Sequence, residues 1–116
     1  MSRFAFVAQV DPARFNDLVR LRAEHYRYLL AHKEMLVFGG PTRDPATQRP
    51  ETMIIVLEAP TLAAAESFVA GEPYHKQGCF AAISLREWSQ VMPEVTPGAL
   101  AKTVAELSHE TDNTAH

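Results

Sequence analysis

Arg22 and His25 are the residues of this chain whose type and spacing most directly suggest chemistry. A helix advances about 100° per residue, and this places five residues on or beside one narrow stripe: Phe15, Leu18, Arg22, His25 and Leu29. Burying a guanidinium or an imidazole in an apolar stripe costs several kcal/mol unless partners or water satisfy it. The stripe therefore predicts a polar pocket above the helix, in which His25 is a candidate acid or base near neutral pH.

Both polar residues also have structural interpretations, which the sequence leaves open. Arg22 can bind a carboxylate, phenolate or enolate oxygen, or it can form an ion pair with Glu24 or Glu72. His25 can act on a substrate, or it can be a buried histidine satisfied by a backbone carbonyl.

The first half of the chain contains the elements that would position this pair. Residues Arg3–Val10 predict a strand, and Asp11 and Pro12 are suited to begin a helix that runs from Ala13 to Glu34. A second strand, Leu36–Phe38, is predicted to stop at the turn formed by Gly39, Gly40 and Pro41.

The second half repeats the pattern after a polar loop. Thr52–Glu58 is a β-prone strand, and Pro60 and Thr61 begin a second helix that ends at Gly71. Cys79–Val91 alternates as a fourth strand, with apolar groups on both of its sides.

The order βαββαβ predicts an α+β, ferredoxin-like fold, with a four-stranded antiparallel sheet and two helices on one face. The other face is left bare. Alternation places Phe80 and Trp88 on that bare face, so we expect a homodimer that forms through it as a dimeric α/β barrel-like assembly.

Composition limits the classes of protein that fit. A chain of 116 residues with 47% hydrophobic content suits one domain, expected at residues 1–93. Residues 94–116 are expected to add a short helix, Ala99–Leu107, and a frayed polar tail. The net charge of −3 comes with scattered basic residues, so no nucleic acid partner is expected.

The sequence also limits the localisation and the metal content that we expect. No apolar run approaches the roughly 20 residues that cross a bilayer, and no leader is evident, which predicts a cytoplasmic protein without a membrane partner. The single cysteine, Cys79, excludes an internal disulfide and is expected to be a small buried hydrophobic residue. No metal is expected, although a site of His25, Glu72 and His75 is a conceivable alternative.

Several strings together resemble the YCII-related (YciI-like) domain family, over about Arg3 to Met92. They are RAEHYRYLLAHKEMLVFGGP, TMIIVLEAPTLAAAESFVAGEPYHKQG and EWSQV. The resemblance implies a dimeric ferredoxin-like fold and an active site around the helix histidine, paired with an acid. Carried over by position, it indicates these residues: Arg22, His25, Gly40, Pro41, Glu72, Pro73 and Tyr74. The family usually has Asp-Pro where this chain has Glu72-Pro73, so the carboxylate reaches further by one methylene.

A carboxylate beside His25 would complete a general acid–base pair, because it fixes the imidazole tautomer and stabilises the imidazolium. Glu72 is the first candidate, and Asp44, in the loop after Gly40 and Pro41, is the second. Tyr74 can offer its hydroxyl to the pocket or simply pack its ring. Gly40 and Pro41 serve the turn of the backbone beside the substrate.

The leading hypothesis is a cofactor-independent enzyme acting on a small polar or aromatic ligand. The resemblance implies a lyase-type dehydrochlorinase as precedent, and an isomerase uses the same proton transfer. A non-catalytic ligand-binding or accessory module is the alternative. A third hypothesis, oxygenation on haem or quinols, follows from similar dimeric α+β barrels, although no haem anchor is evident besides the histidines.

Overall fold

The computed structural model describes residues 1–114. Its strands are β1 (Ser2–Val10), β2 (Leu36–Arg43), β3 (Pro50–Ala59) and β4 (Phe80–Trp88). Its α-helices are α1 (Phe15–Ala31), α2 (Leu62–Gly71), the short α3 (Pro73–Lys76) and α4 (Ala99–Thr114). All neighbouring strands pair antiparallel, in the order β2-β3-β1-β4. The predicted ferredoxin-like α+β fold is confirmed.

The core lies on one face of the sheet. The side chains that alternate towards α1 and α2 are almost fully buried, as the apolar pattern of each strand requires. They are Phe4, Phe6, Ala8 and Val10 from β1, and Met53, Ile55, Leu57 and Ala59 from β3. Leu18 and Leu21 of α1 and Phe68 and Val69 of α2 pack against them.

The segment predicted as one helix from Ala13 to Glu34 is divided in three. Asp11 caps its start, since its carboxylate accepts a hydrogen bond from the backbone N–H of Ala13 at 2.9 Å, and Pro12–Arg14 forms a 3₁₀ turn. The α-helix then ends at Ala31, and a second 3₁₀ turn spans Lys33–Met35. The predicted boundaries were therefore too wide, although the stripe of polar and apolar residues lies on true α-helix.

The prediction that β2 stops at Phe38 was wrong. Gly39 and Gly40 pair with Ile55 and Ile54 of β3, and the strand continues to Arg43. β2 is an edge strand, where proline is tolerated because its neighbour on one side is solvent. A Cβ at Gly39 would lie 3.1 Å from the Ile54 carbonyl oxygen, so glycine permits this close pairing.

The predicted place of Phe80 on the bare face was also wrong. The register between β1 and β4 shifts between Gln9, which pairs with Ala82, and Val10, which pairs with Phe80. This bulge turns Phe80 to the helix side, where its ring meets Phe6 edge-on at 6.1 Å between centroids. Trp88 is on the predicted face.

The C-terminal helix α4 begins at the predicted Ala99 and extends further than expected. The Glu94 carboxylate accepts a hydrogen bond from the Leu100 N–H at 2.7 Å, which satisfies a donor of the first turn. No Gly or Pro follows, so the helix continues to Thr114. The last residues of the predicted tail, 115 and 116, lie outside the described residues. No helix within residues 1–114 is long and apolar enough to cross a membrane.

Candidate functional site

A buried histidine–glutamate pair joins α1 to the segment that follows α2. The Nδ1 atom of His25 lies 2.5 Å from Oε1 of Glu72. The His25 side chain is 3% exposed and Glu72 is fully buried. Of the two acids considered from the sequence, the structure therefore brings Glu72 to the histidine.

Local sequence explains why Glu72 occupies this position. The residue before a proline is disfavoured in the helical conformation, and Glu72, which precedes Pro73, has extended backbone angles that end α2. Glu72 is also the N-cap of α3: its Oε2 accepts a hydrogen bond from the His75 N–H at 2.9 Å. Both carboxylate oxygens are thus engaged, one by the imidazole and one by the backbone.

Tyr74 forms one wall beside the imidazole. Its ring stacks on that of His25, with centroids 4.1 Å apart and planes inclined by 17°. Burial raises the pKa of the Tyr74 hydroxyl to about 12, with smaller contributions from Tyr26 and Glu72. Tyr74 therefore stays a neutral hydrogen-bond donor at any physiological pH.

A cavity of about 660 Å³ opens between α1, the ends of β2 and β3, and the loop that joins these strands. Gly39 and Pro41 lie on its sheet side, where the missing side chain of glycine leaves space. Residues of the predicted site that line the cavity are Arg22, His25, Gly40, Pro41 and Tyr74. The recess predicted above the helix stripe is thus present, although the His25 ring itself is nearly buried.

Two polar atoms of this site remain free of partners among the described residues. Within the described residues, the Nε2 atom of His25 and the Tyr74 hydroxyl have no hydrogen-bond partner, and neither is sealed from solvent. Since both residues line the cavity, these atoms are available to a ligand there. A cavity of this size is ordinary for a small-molecule site.

Arg22 lies one turn before His25 and is exposed. The Tyr26 hydroxyl accepts a hydrogen bond from its Nε at 3.2 Å, and this contact raises the pKa of the Arg22 guanidinium. No ion pair with Glu24 or Glu72 forms. The terminal nitrogens of Arg22 are therefore available to the cavity.

Asp44 is not brought to His25. Its Oδ1 accepts hydrogen bonds from the N–H groups of Ala46 and Thr47, both at 2.8 Å. These bonds, that of Thr47 most of all, lower the pKa of Asp44. Asp44 thus stabilises the turn of the β2–β3 loop and lines a neighbouring cavity instead.

Two arginines of this loop belong to the site and were missed from the sequence. Arg43 and Arg49 both line the cavity with His25. Their only sequence signal is that they flank a polar loop, which is common at solvated surfaces. Antiparallel pairing of Arg43 with Pro50 is what brings them together.

His32 and His75 do not join the site. The Nδ1–H of His32 donates a hydrogen bond to the Tyr28 carbonyl at 2.8 Å, and His32 does not line the cavity. His75 contributes its backbone N–H to Glu72. No group of three metal-binding side chains is found within the described residues, so the conceivable His25–Glu72–His75 site is not assembled.

Solved structures that match this fold include the following two. One is 5-chloro-2-hydroxyhydroquinone dehydrochlorinase (TftG) from Burkholderia phenoliruptrix AC1100, in complex with 2,5-dihydroxybenzoquinone. It is 26% identical, with a TM-score of 0.71 over 76% of this chain and 94% of its own. The other is a candidate antibiotic biosynthesis monooxygenase from Bacteroides thetaiotaomicron. It is 15% identical, with a TM-score of 0.51 over 82% of this chain and 93% of its own, and it supports the fold alone.

No curated protein matches the chain. The model of the YCII-related domain matches residues 2–89, which include every strand, the first three helices and the His25–Glu72 pair. The helix α4 lies beyond the match. On this evidence, the chain belongs to the YCII-related domain family.

Proposed function

We propose that this protein is a cofactor-independent enzyme that moves a proton on a small hydroxylated aromatic or enolic substrate, with His25 as general base and then general acid. One observation carries the proposal: Nδ1 of His25 is bonded to a buried carboxylate, while Nε2 has no partner among the described residues and His25 lines a cavity. The Glu72 carboxylate holds the hydrogen on Nδ1 and leaves the lone pair on Nε2. It then stabilises the imidazolium that proton uptake creates.

The neighbouring side chains have roles that fit this chemistry. The Arg22 guanidinium can stabilise a phenolate or enolate oxygen as charge develops on it. The neutral Tyr74 hydroxyl can donate a hydrogen bond to the same substrate. The stacked Tyr74 ring also fixes the plane of the imidazole, so that Nε2 is held in one direction.

The reaction class we favour is elimination, for which TftG is the structural precedent. Loss of HCl from a chlorinated trihydroxybenzene removes two hydroxyl protons, places one proton on the carbon that loses chlorine, and releases chloride. A single base that takes up one hydroxyl proton and returns it to carbon meets this requirement, with the second hydroxyl proton released to solvent. An isomerase would use the same two steps without a leaving group.

The test is turnover of a substrate panel by the wild type and by His25→Asn. The panel holds chlorinated hydroquinones, muconolactones and related enol acids. Asparagine keeps a donor for the Glu72 carboxylate but removes Nε2, so we expect an intact fold and a rate about 10²- to 10⁴-fold lower. His32→Asn is the matched control, because His32 is the residue directly after α1 and lies outside the cavity.

Equal turnover by the wild type and His25→Asn, or no turnover of any substrate by either, would contradict the proposal. Ligand binding that survives His25→Gln without turnover would instead indicate the binding module considered from the sequence.

Two substitutions of Glu72 test the charge and the length of its side chain separately. Glu72→Gln removes the charge that stabilises the imidazolium, and we expect about 10²-fold slower turnover or more. Glu72→Asp keeps the charge but shortens the reach to His25, so its loss of rate should be smaller. An equal rate for Glu72→Gln and the wild type would show that the carboxylate has no part in proton transfer.

A further inference from the structure

We propose that the substrate carries an oxyanion, a carboxylate or a phosphate, on an apolar body, and that Arg43 and Arg49 bind this oxyanion while the reacting group lies at His25. This inference rests on the proposed function and names the substrate class of the same site. It concerns two residues that flank the β2–β3 loop and line the same cavity as His25.

The first argument is the charge of the cavity wall. Three arginines, Arg22, Arg43 and Arg49, line the cavity together with His25, and within the described part of the chain no Asp or Glu lines it. The chain as a whole carries a net charge of −3. The positive charge is therefore a local property of this wall, and it favours an anionic ligand.

The second argument is that the acids near the two arginines are not paired with them. Among the described residues, neither Arg43 nor Arg49 has a carboxylate oxygen within ion-pair distance. Asp44 and Glu51 share the neighbouring cavity with Arg49, but Asp44 is engaged by backbone N–H groups of its own loop. The guanidinium groups keep most of their donors for a ligand.

The third argument is that one of these groups is held in place. The guanidinium carbon of Arg49 lies 4.1 Å from the centroid of the Phe15 ring, a cation–π contact that restricts the side chain. Arg43 donates one long hydrogen bond, 3.3 Å, to the Gln48 carbonyl. A planar guanidinium held in this way presents a fork that matches carboxylate or phosphate oxygens.

The fourth argument is the size and lining of the cavity. Its volume of about 660 Å³ far exceeds the roughly 150 Å³ of a cavity that binds a single benzene. Room therefore exists for a ligand with two functional ends. The lining also includes the apolar residues Leu18, Leu29, Met53 and Ile55, which suit an aromatic or aliphatic body.

The experiment compares two probes that differ only in charge. 2,5-Dihydroxybenzoate is an anion at neutral pH, and 2,5-dihydroxybenzamide is its neutral isostere. Titration calorimetry of the wild type should show the acid binding about 10- to 100-fold tighter than the amide. The affinity of the acid, but not of the amide, should fall as salt is raised. Phenyl phosphate shows whether a phosphate is preferred to a carboxylate.

Variants of the two arginines then test whether these residues cause the preference for the acid over the amide. We expect Arg43→Gln/Arg49→Gln to bind the acid and the amide about equally, and the double lysine variant to keep part of the preference because the charge remains. Arg27→Gln is the matched control, since Arg27 is an exposed arginine of α1 outside the cavity, and it should behave as the wild type. Circular dichroism verifies that each variant is folded.

Equal binding of acid and amide to the wild type, no binding of either, or a preference unchanged in the double glutamine variant would overturn this inference. Its failure is distinguishable from failure of the proposed function. If the acid binds with the expected preference and no substrate turns over, the anion site stands and the enzyme proposal falls. If turnover depends on His25 but neutral substrates are used equally well, the enzyme proposal stands and the anion site falls.

Discussion

Glu72 links the folding of this domain to its proposed chemistry within one side chain. One oxygen contacts the His25 imidazole and the other caps α3. The family resemblance of the sequence implies aspartate at this position, where glutamate is longer by one methylene. The structure shows the contact at 2.5 Å, so the longer side chain is accommodated with both oxygens engaged.

The pH dependence of stability tests the environment of Tyr74. The pKa of its hydroxyl is raised to about 12 in the folded protein, against about 10 in an unfolded chain. Between these values the unfolded chain loses a proton that the native state keeps, so the free energy of unfolding falls as pH rises. Below about pH 10 this stabilisation is complete, and it is lost by about pH 12.

We therefore expect Tyr74→Phe to flatten the fall in stability between about pH 10 and 12. Denaturant unfolding at a series of pH values provides the measurement. Tyr26→Phe, which removes only the smaller contribution of the Tyr26 hydroxyl to the raised pKa of Tyr74, should flatten the fall less than Tyr74→Phe does. An equally steep decline in Tyr74→Phe and the wild type would show that Tyr74 titrates normally.

At the scale of elements, the site depends on how closely α1 approaches the end of α2. The Tyr28 hydroxyl of α1 donates a hydrogen bond to the Phe68 carbonyl at 2.7 Å. A Cβ at Gly71 would lie only 2.7 Å from the same hydroxyl oxygen. The sequence predicted Gly71 as a helix terminator, but tertiary packing gives it a second role, since no larger residue fits without moving Tyr28.

Gly71→Ala should therefore destabilise the fold by about 1–3 kcal/mol, the usual cost of overpacking. Because Gly71 adjoins Glu72, we also expect the His25–Glu72 pair to be disturbed and turnover to fall. A double-mutant cycle with Tyr28→Phe, measured by denaturant unfolding, should show part of the loss recovered. Additive effects of the two substitutions would mean that the hydroxyl and the new methyl do not meet.

At the scale of the whole molecule, the single chain leaves apolar side chains on the bare face of the sheet. Phe38 of β2 and Trp88 of β4 meet edge-on over it, with centroids 5.6 Å apart, and Ile54 is 37% exposed there. Ala5, Val7 and Val56 share this face by their register. We propose that a second copy of the chain covers it, which a standard interface of about 800 Å² per partner would accomplish.

Trp88→Asp tests this assembly. A charge at the centre of an apolar interface should weaken the dimer by about 30-fold or more. Sedimentation of the protein at micromolar concentration gives the mass. Leu30→Asp is the control, because Leu30 is exposed on α1, 67%, and should leave the mass unchanged. A monomeric wild type, with Trp88 fluorescence open to a soluble quencher, would contradict the proposal.

The sequence by itself determined the order βαββαβ of the domain, the strands at β1 and β3, and the helix stripe that holds Arg22 and His25. These features are local, since they follow from periodicity, caps and helix-breaking residues along the chain. Tertiary structure decided what depends on contacts between distant segments. Pairing with β3 extended β2 past Pro41, a bulge against β1 turned Phe80 into the core, and the chosen acid was Glu72, 47 positions from His25. Arg43 and Arg49 line the cavity because the pairing of β2 with β3 brings both residues together beside α1. No local pattern encodes such distances, because they are fixed by how the whole core packs.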